Sequence, residues 1–516
     1  MVAVRVVSIR VAVGAAVVTA LLLWAASPAV GAGWLAWVAL VPVAWVVASA
    51  PGARAARIAV PLAYALYLEL LLVPALPFGL AEGQWGDAAI PVLIGGSPVV
   101  PVALVAIPLF GALLYLIRFG EPWGAQLLGP RFAAMATVLV PAFAWTGLDL
   151  LRTKLDPGGS WGPLFPSQVD LPTSLLAALG GPWLLTLAIV ALNYGIALAL
   201  VRRRPAPALV PAALIAAAVI VTPAIDAEEP EGGEVTVAAV QPGYDTAQDE
   251  SEPGVLRYWD EGTFNLAARD VIRDLRGLTQ RAAREGAQVV VWPEAVTFVD
   301  LHARRGARKA LADAARSSGV TIVAPYFDHA SKAGAAIAVS PSGSVTAPRP
   351  KQRPMWFLGE QGGGAPPPRP LGAAGMRVGT LLGVDVQDPN LAGRLVGRDA
   401  ELLTSSTHDW RQLATAHRAL ASLGAEAAGV PLVRADWRYG SAIYDRDGNA
   451  LADAGADRRR TVITAAVEPG GSTPYARIGD VVGWVSLALA VAAWVATRAA
   501  GFAIRRRRIP AGAEAS

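Results

Sequence analysis

The chain of 516 residues contains no cysteine. Disulfides, thiolate metal ligands and a thiol nucleophile are therefore excluded together. Lysine is nearly missing as well: it occurs only at Lys154, Lys309, Lys332 and Lys351, while arginine carries almost all the positive charge. The histidines, His302, His329, His408 and His417, show no metal-ligand spacing, so neither a metal nor a cofactor is expected. Charged residues make up 16% of the chain against 54% hydrophobic, where soluble domains carry roughly 25% charged residues. That balance excludes an ordinary soluble globule.

What the chain does contain is a series of long apolar runs. Eight of them, at 11–28, 33–50, 59–79, 90–117, 132–151, 174–201, 207–225 and 479–500, approach the roughly 20 residues a helix needs to cross a bilayer core. Arg54 and Arg57, Arg118 and Arg131, Arg202 to Arg204, and Arg505 to Arg508 fall in alternate connections, all on the side of the N-terminus. The positive-inside rule then puts both termini in the cytoplasm and the long section between the last two runs outside. The expected organisation is a seven-span region at 1–225, an external domain at 226–475, and a last span with a basic tail at 476–516. Between Asp226 and Tyr475 there are 27 basic and 31 acidic residues, which leaves 17 and 9 of the chain's 44 and 40 for the remainder. The basic excess thus flanks apolar runs rather than a soluble module, which excludes nucleic acid as a partner.

The external section reads as strands alternating with amphipathic helices. Strand-like runs occur at 234–240, 288–292, 320–324, 336–340, 377–386, 401–403, 431–435 and 441–444, and helical patterns at 263–284, 301–317 and 411–428. This alternation predicts a layered α/β domain.

Three short elements of that domain are candidates for chemistry. In Val289-Val-Val-Trp-Pro-Glu294 a β-branched strand delivers a carboxylate to its C-terminal end, where α/β folds place ligands. Lys351 is a lone lysine among arginines in Pro348-Arg-Pro-Lys-Gln-Arg-Pro354, with Glu360 shortly after. Gly383 and Asp385 close the apolar run Val378-Gly-Thr-Leu-Leu-Gly-Val-Asp385. Spacing alone favours the blander readings: a solvated strand-end glutamate, an exposed loop lysine and an ordinary core strand.

Taken in order, these elements resemble the nitrilase superfamily and, within it, the apolipoprotein N-acyltransferases. Ala239-Val-Gln-Pro242 looks like the opening strand motif, Trp292-Pro-Glu294 like the catalytic glutamate motif, Lys351 like the catalytic lysine, and Gly359-Glu360 like a Gly-Glu pair in the following loop. In the membrane half, Trp145, Asp149, Arg152, Trp161, Gln168, Gly181 and Asn193 are similar to a family pattern. Arg418, Glu426 and Arg434 resemble its late signature. The resemblance implies a membrane α-helical bundle of about eight spans with an external nitrilase-like α/β sandwich, in the bacterial inner (cytoplasmic) membrane. It also implies acyl transfer from a phospholipid to the N-terminal diacylglyceryl-cysteine of a lipoprotein, through a thioester. Glu294 would then be the general base, Lys351 the oxyanion stabiliser, and Asp385 and Trp410 are expected to contact substrate.

One departure overrides the rest. The family's nucleophilic cysteine aligns with Gly383, which has no side chain to acylate, and Trp437 and Tyr439 stand where the family carries Asn and Gly. The expectation is an acyltransferase-like protein with impaired thioester chemistry. The alternative is a pseudo-enzyme that binds lipoprotein or phospholipid, or scaffolds another envelope enzyme. A replacement nucleophile from Ser405 or Ser406 with His408 and Asp409 is the remaining chemical route.

Overall fold

The structure, a computed structural model, describes residues 7–49, 54–72, 130–154, 162–225, 233–243, 261–328, 330–354, 360–362, 369–409, 411–455 and 459–507. The N-terminal part is helical: α1 (Ile9–Ala26), α2 (Val41–Ser49), α3 (Arg54–Leu72), α4 (Pro130–Lys154), α5 (Leu176–Arg202) and α6 (Ala206–Ile225). Among the described residues, four helical segments are long and apolar enough to cross a membrane: Ile9–Ala26, Ala134–Lys154, Pro172–Arg202 and Ala206–Pro223. Gly33–Ser49, Arg57–Leu68 and Val481–Ala496 are shorter apolar helices. The run expected to span at 90–117 lies outside the described residues.

Side-chain size explains how these helices pack. In α1, Ala12, Ala16 and Ala20 are buried while Val13, Val17 and Leu21 are exposed, so a small-residue face meets the bundle and a bulky apolar face is left outside it, the pattern of a helix suited to lipid. The expected run at 33–50 is not one helix. It begins with a 3₁₀ turn at Gly33–Leu35, continues as Ala36–Ala39, and restarts as α2. The amide of Asn193 in α5 interrupts the backbone ladder there: its Oδ1 accepts from the Leu40 N–H at 2.8 Å and its Nδ2 donates to the Ala36 carbonyl at 2.9 Å.

The section after α6 holds twelve described strands: β1 (Val235–Gln241), β2 (Val289–Val291), β3 (Thr321–Asp328), β4 (Ala333–Val339), β5 (Arg349–Pro350), β6 (Leu371–Ala373), β7 (Met376–Leu382), β8 (Leu402–Thr407), β9 (Leu432–Asp436), β10 (Ala442–Tyr444), β11 (Ala450–Asp453) and β12 (Thr461–Val467). They form two six-stranded sheets, ordered β12-β1-β2-β3-β4-β5 and β11-β10-β9-β8-β7-β6. In each, three central strands run parallel (β1, β2, β3 and β7, β8, β9) and the flanking strands are antiparallel. Helices α7 (Glu261–Arg284) and α8 (Arg305–Ser318) cover one sheet, and α9 (Pro389–Val396) and α10 (Arg411–Ala428) the other.

The period of two in the strands sorts side chains between layers. Val237, Ala239, Val291 and Val323 meet Val378, Leu382, Leu402 and Val433 between the sheets. Their neighbours Ala238, Val290 and Ile322 pack beneath Leu275 and Leu311 of α7 and α8. On the far side, Leu381, Leu403 and Leu432 pack with Leu391 and Leu420, and this core continues without a break into Phe165, Trp183 and Leu185 of the membrane part. The strand expected at 377–386 ends early, at Leu382, where Gly383–Gln387 turn into a 3₁₀ helix.

The chain rejoins the helical bundle through α11 (Pro474–Ile478) and α12 (Val481–Arg507). Gly181 takes φ +71° and ψ −172°, which kinks α5 before Pro182. The ring of Tyr475 rests where a Cβ on Gly181 would project. Both the left-handed backbone and the close approach require glycine here. We expect Gly181→Val to lower stability by roughly 1–3 kcal/mol, the usual effect of overpacking. Thermal unfolding of the detergent-solubilised full chain checks this, since surface variants of the sandwich without such a contact should leave its midpoint unchanged.

Candidate functional site

The ends of β2, β5 and β7 converge at one edge of the sandwich. Glu294 lies three residues past β2, Lys351 directly follows β5, and Gly383 directly follows β7. The Lys351 ammonium donates to Glu294 Oε1 at 3.0 Å and to Glu360 at 2.9 Å. The side chain of Lys351 is 3% exposed and those of Glu294 and Glu360 18% and 16%, so the cluster is closed on the lysine side and reaches solvent through the carboxylates. Glu294, Lys351 and Glu360 therefore meet in one cluster.

Their ionisation follows from this burial. Desolvation pushes the Glu294 carboxyl up, against the downward pull of Lys351. Desolvation alone would lower Lys351, but Glu294 and Glu360 outweigh it and hold the ammonium protonated.

The main chain of Glu294 is fixed by the opposite sheet. The Trp437 indole N–H donates to the Glu294 carbonyl at 2.6 Å, and the Ser406 hydroxyl donates to the Trp292 carbonyl at 2.8 Å. Trp437, which departs from the family pattern, thus supports the glutamate. Trp292 is anchored from behind by its indole N–H to Thr279 Oγ1 at 3.0 Å.

Gly383 sits in the left-handed region, at φ +51°. A Cβ built on it would lie 2.5 and 2.6 Å from the two Glu294 carboxylate oxygens. The Glu294 carboxylate therefore occupies the space that a side chain at this position would need.

Asp385 is buried and acts on backbone. Its carboxylate accepts N–H bonds from Leu382 at 3.1 Å, Gln352 at 3.3 Å and Arg353 at 2.8 Å. It ties the turn at Gly383 to the segment behind Lys351, a use different from the expected substrate contact. Burial pushes its pKa up to about 7, although Lys351 and the three N–H groups pull it down. Trp410 lies outside the described residues, as do Gly359, His329 and Trp161.

The Ser-His-Asp route does not assemble. Asp409 accepts from His417 Nδ1 at 2.7 Å and from Arg434 Nη2 at 2.5 Å, so the imidazole it orients is not that of His408. His417 Nε2 in turn meets the Gln387 amide at 2.8 Å. The His408 ring packs at a tilt on Trp437. Thr407 Oγ1 donates to Asp436 at 2.8 Å, accepts from Arg434 at 2.6 Å, and shares the helix-facing side of β8 with Ser405. The buried Asp409-His417-Arg434 cluster was missed from sequence. Only the four-residue spacing of helix α10 and the strand position of Arg434 hinted at it.

The membrane-half pattern residues are joints. Asn193 holds the break before α2 as described, Gln168 Nε2 donates to the Gly33 carbonyl at 3.4 Å, and Arg152 pairs with Asp149 at 3.2 Å. Glu426 of α10 accepts from the Ser174 hydroxyl at 2.9 Å, tying sandwich to bundle.

A double-sheet α/β sandwich with a glutamate and a lysine converging on the turn after a strand is a nitrilase-type domain. Accordingly, the sequence model of the carbon-nitrogen hydrolase family matches residues 236–477. The model of the apolipoprotein N-acyltransferase N-terminal domain matches residues 19–195. With both parts in this order, the chain belongs to the apolipoprotein N-acyltransferase family. No curated protein matches it. Among solved structures it is similar to a double mutant of the amidase from Nesterenkonia sp. AN1 in complex with acrylamide. That likeness has 19% identity, 46% of this chain and 93% of that one covered, and a TM-score of 0.36. A carbon-nitrogen hydrolase from Helicobacter pylori G27 shows 13% identity, 46% and 89% coverage, and a TM-score of 0.37.

Two outcomes follow from this geometry. Folding raises Asp385 from 3.8 to about 7, so it is the protonated form that folding favours. Relative to Asp385→Asn, wild-type stability is fully present below about pH 4 and declines as pH rises to about 7, by a few kcal/mol at most. Unfolding midpoints of both proteins between pH 5 and pH 8 check the sign. Second, Gly383→Cys places the chain's only thiol against Glu294 in a left-handed backbone. We expect slow alkylation and a loss of about 1–2 kcal/mol. Adding Glu294→Asp, one methylene shorter, should speed alkylation by iodoacetamide, followed by mass spectrometry.

Proposed function

We propose that this protein is a membrane-bound relative of the apolipoprotein N-acyltransferases that binds their lipid and lipoprotein substrates without transferring an acyl chain through a thioester. The observation that carries the reading is Gly383, a side-chain-free turn whose vacant space holds the Glu294 carboxylate. A chain with no cysteine has no thiol to take an acyl group from an ester. Glu294 and Lys351 keep the geometry of a base beside an ammonium, yet here they satisfy each other. Stripping a hydrolase of its nucleophile costs on the order of a millionfold in turnover. Direct attack of an amine on a phospholipid ester, with Glu294 as base, is thus a trace activity at best.

In this reading the protein sits in the cytoplasmic membrane with both termini inside, eight spans in all, and the sandwich outside. Its substrate-facing architecture serves as a docking place for lipoproteins, phospholipid or a second envelope enzyme. The uninterrupted core from the sandwich into the bundle supports a site held beside the bilayer.

The test is expression of the full chain in a bacterium lacking its own N-acyltransferase, with mass spectrometry of lipoprotein N-termini. We expect diacylated N-termini only. Triacylated product that depends on this chain and vanishes with Glu294→Gln would refute the reading and establish direct transfer.

A further inference from the structure

Lysine is scarce, so each of its positions invites a reason, and Lys154 has a specific one. At the end of α4, its ammonium lies 2.8 Å from Asp388 Oδ1 and 2.8 Å from Asp480 Oδ2. The two carboxylates belong to different parts of the molecule. Asp388 caps α9, accepting from the Asn390 N–H at 3.2 Å, immediately after the 3₁₀ turn that begins at Gly383. It also faces Arg353, two residues beyond Lys351, at 3.7 Å. Asp480 immediately precedes α12, and its side chain has no exposure. Its carboxylate accepts from the Trp183 indole at 2.5 Å, the Tyr475 hydroxyl at 2.8 Å and the Asn390 amide at 2.8 Å.

We propose that Lys154 is the positioning residue that sets the Gly383 turn at a fixed place relative to the membrane helices, by bridging Asp388 and Asp480. One ammonium gathers α4, α5, α9 and the start of α12 around a single pair of carboxylates. A compact ammonium with three donors suits two acceptors arriving from different directions, which a planar guanidinium fork serves less well. Charge balance supports the bridge: Asp388 and Asp480 stand against Lys154 and Arg353, so removing Lys154 leaves buried Asp480 without its cation. The proposal holds whether or not any acyl group moves.

Because the chain has no cysteine, two introduced thiols can be labelled without background. Ala29→Cys lies on an exposed turn after α1, and Gly277→Cys lies on α7 where nothing approaches a Cβ within 4 Å. Spin labels at both, in the full chain in nanodiscs, report the distance between bundle and sandwich. With Lys154 present we expect one narrow distribution. Lys154→Met should broaden it and shift it outward, Asp480→Asn should broaden it too, and Lys154→Arg, which keeps the charge but not the compact geometry, should recover the narrowness only in part. Lys309→Met, at an exposed ion pair on α8, should change nothing. Should Lys154→Met fail to fold, Asp480→Asn and Lys154→Arg still decide the matter. Distributions unchanged in Asp480→Asn, or broadened equally by Lys309→Met, would overturn the proposal.

Discussion

A protonated lysine shut between two glutamates is the constraint around which the sandwich domain is arranged. Lys351 makes its ion pairs at 3.0 and 2.9 Å with almost no exposure. Such a cluster tolerates no missing partner, because an unpaired buried charge costs about 3–5 kcal/mol. Each partner arrives from a separate strand end or loop, so the sandwich must close correctly for the charges to balance. Trp437, Ser406 and Asp385 then lock the three segments by backbone bonds rather than by contact with the ammonium. In this chain both carboxylates are engaged with the ammonium.

The membrane half shows a parallel economy. Polar residues there, including Asn193, Gln168 and Asp149, are spent on backbone breaks, loop anchors and ion pairs. Polar groups in an apolar surrounding must find partners, and here the partners are the elements whose positions decide how the sandwich rests on the bundle. Gly181 does the same work by absence, making room for Tyr475.

Much of this was legible in the residues. Alternating β-branched runs and amphipathic helices marked the layers, with boundaries within a few positions for β1, β2 and α10. Glu294 and Lys351 stand out in the sequence as a carboxylate at a strand end and a lone lysine, but spacing alone favours blander roles, and it is the family resemblance that singles them out. Other features depended on contacts distant in sequence. Helix α2 was read into one long run because apolarity carries no trace of an Asn193 side chain intruding from α5. The strand through Asp385 was drawn too long because Gly383 reads as a core residue until its positive φ is seen. The short edge strands β5, β6 and β11 are too brief to declare a period. Which imidazole Asp409 orients is not legible either, because adjacency in sequence says nothing about which ring shares its side of the sheet.

The conformation at position 383 has a consequence for substitution. A left-handed elbow strains a side-chain-bearing residue and is relaxed by glycine. With glycine at 383 that strain is absent, and the Glu294 carboxylate lies in the space a Cβ would take. Any single change there would meet both the backbone penalty and an occupied space. Position 383 is thus closed twice over to a larger residue, unless position 294 changes with it.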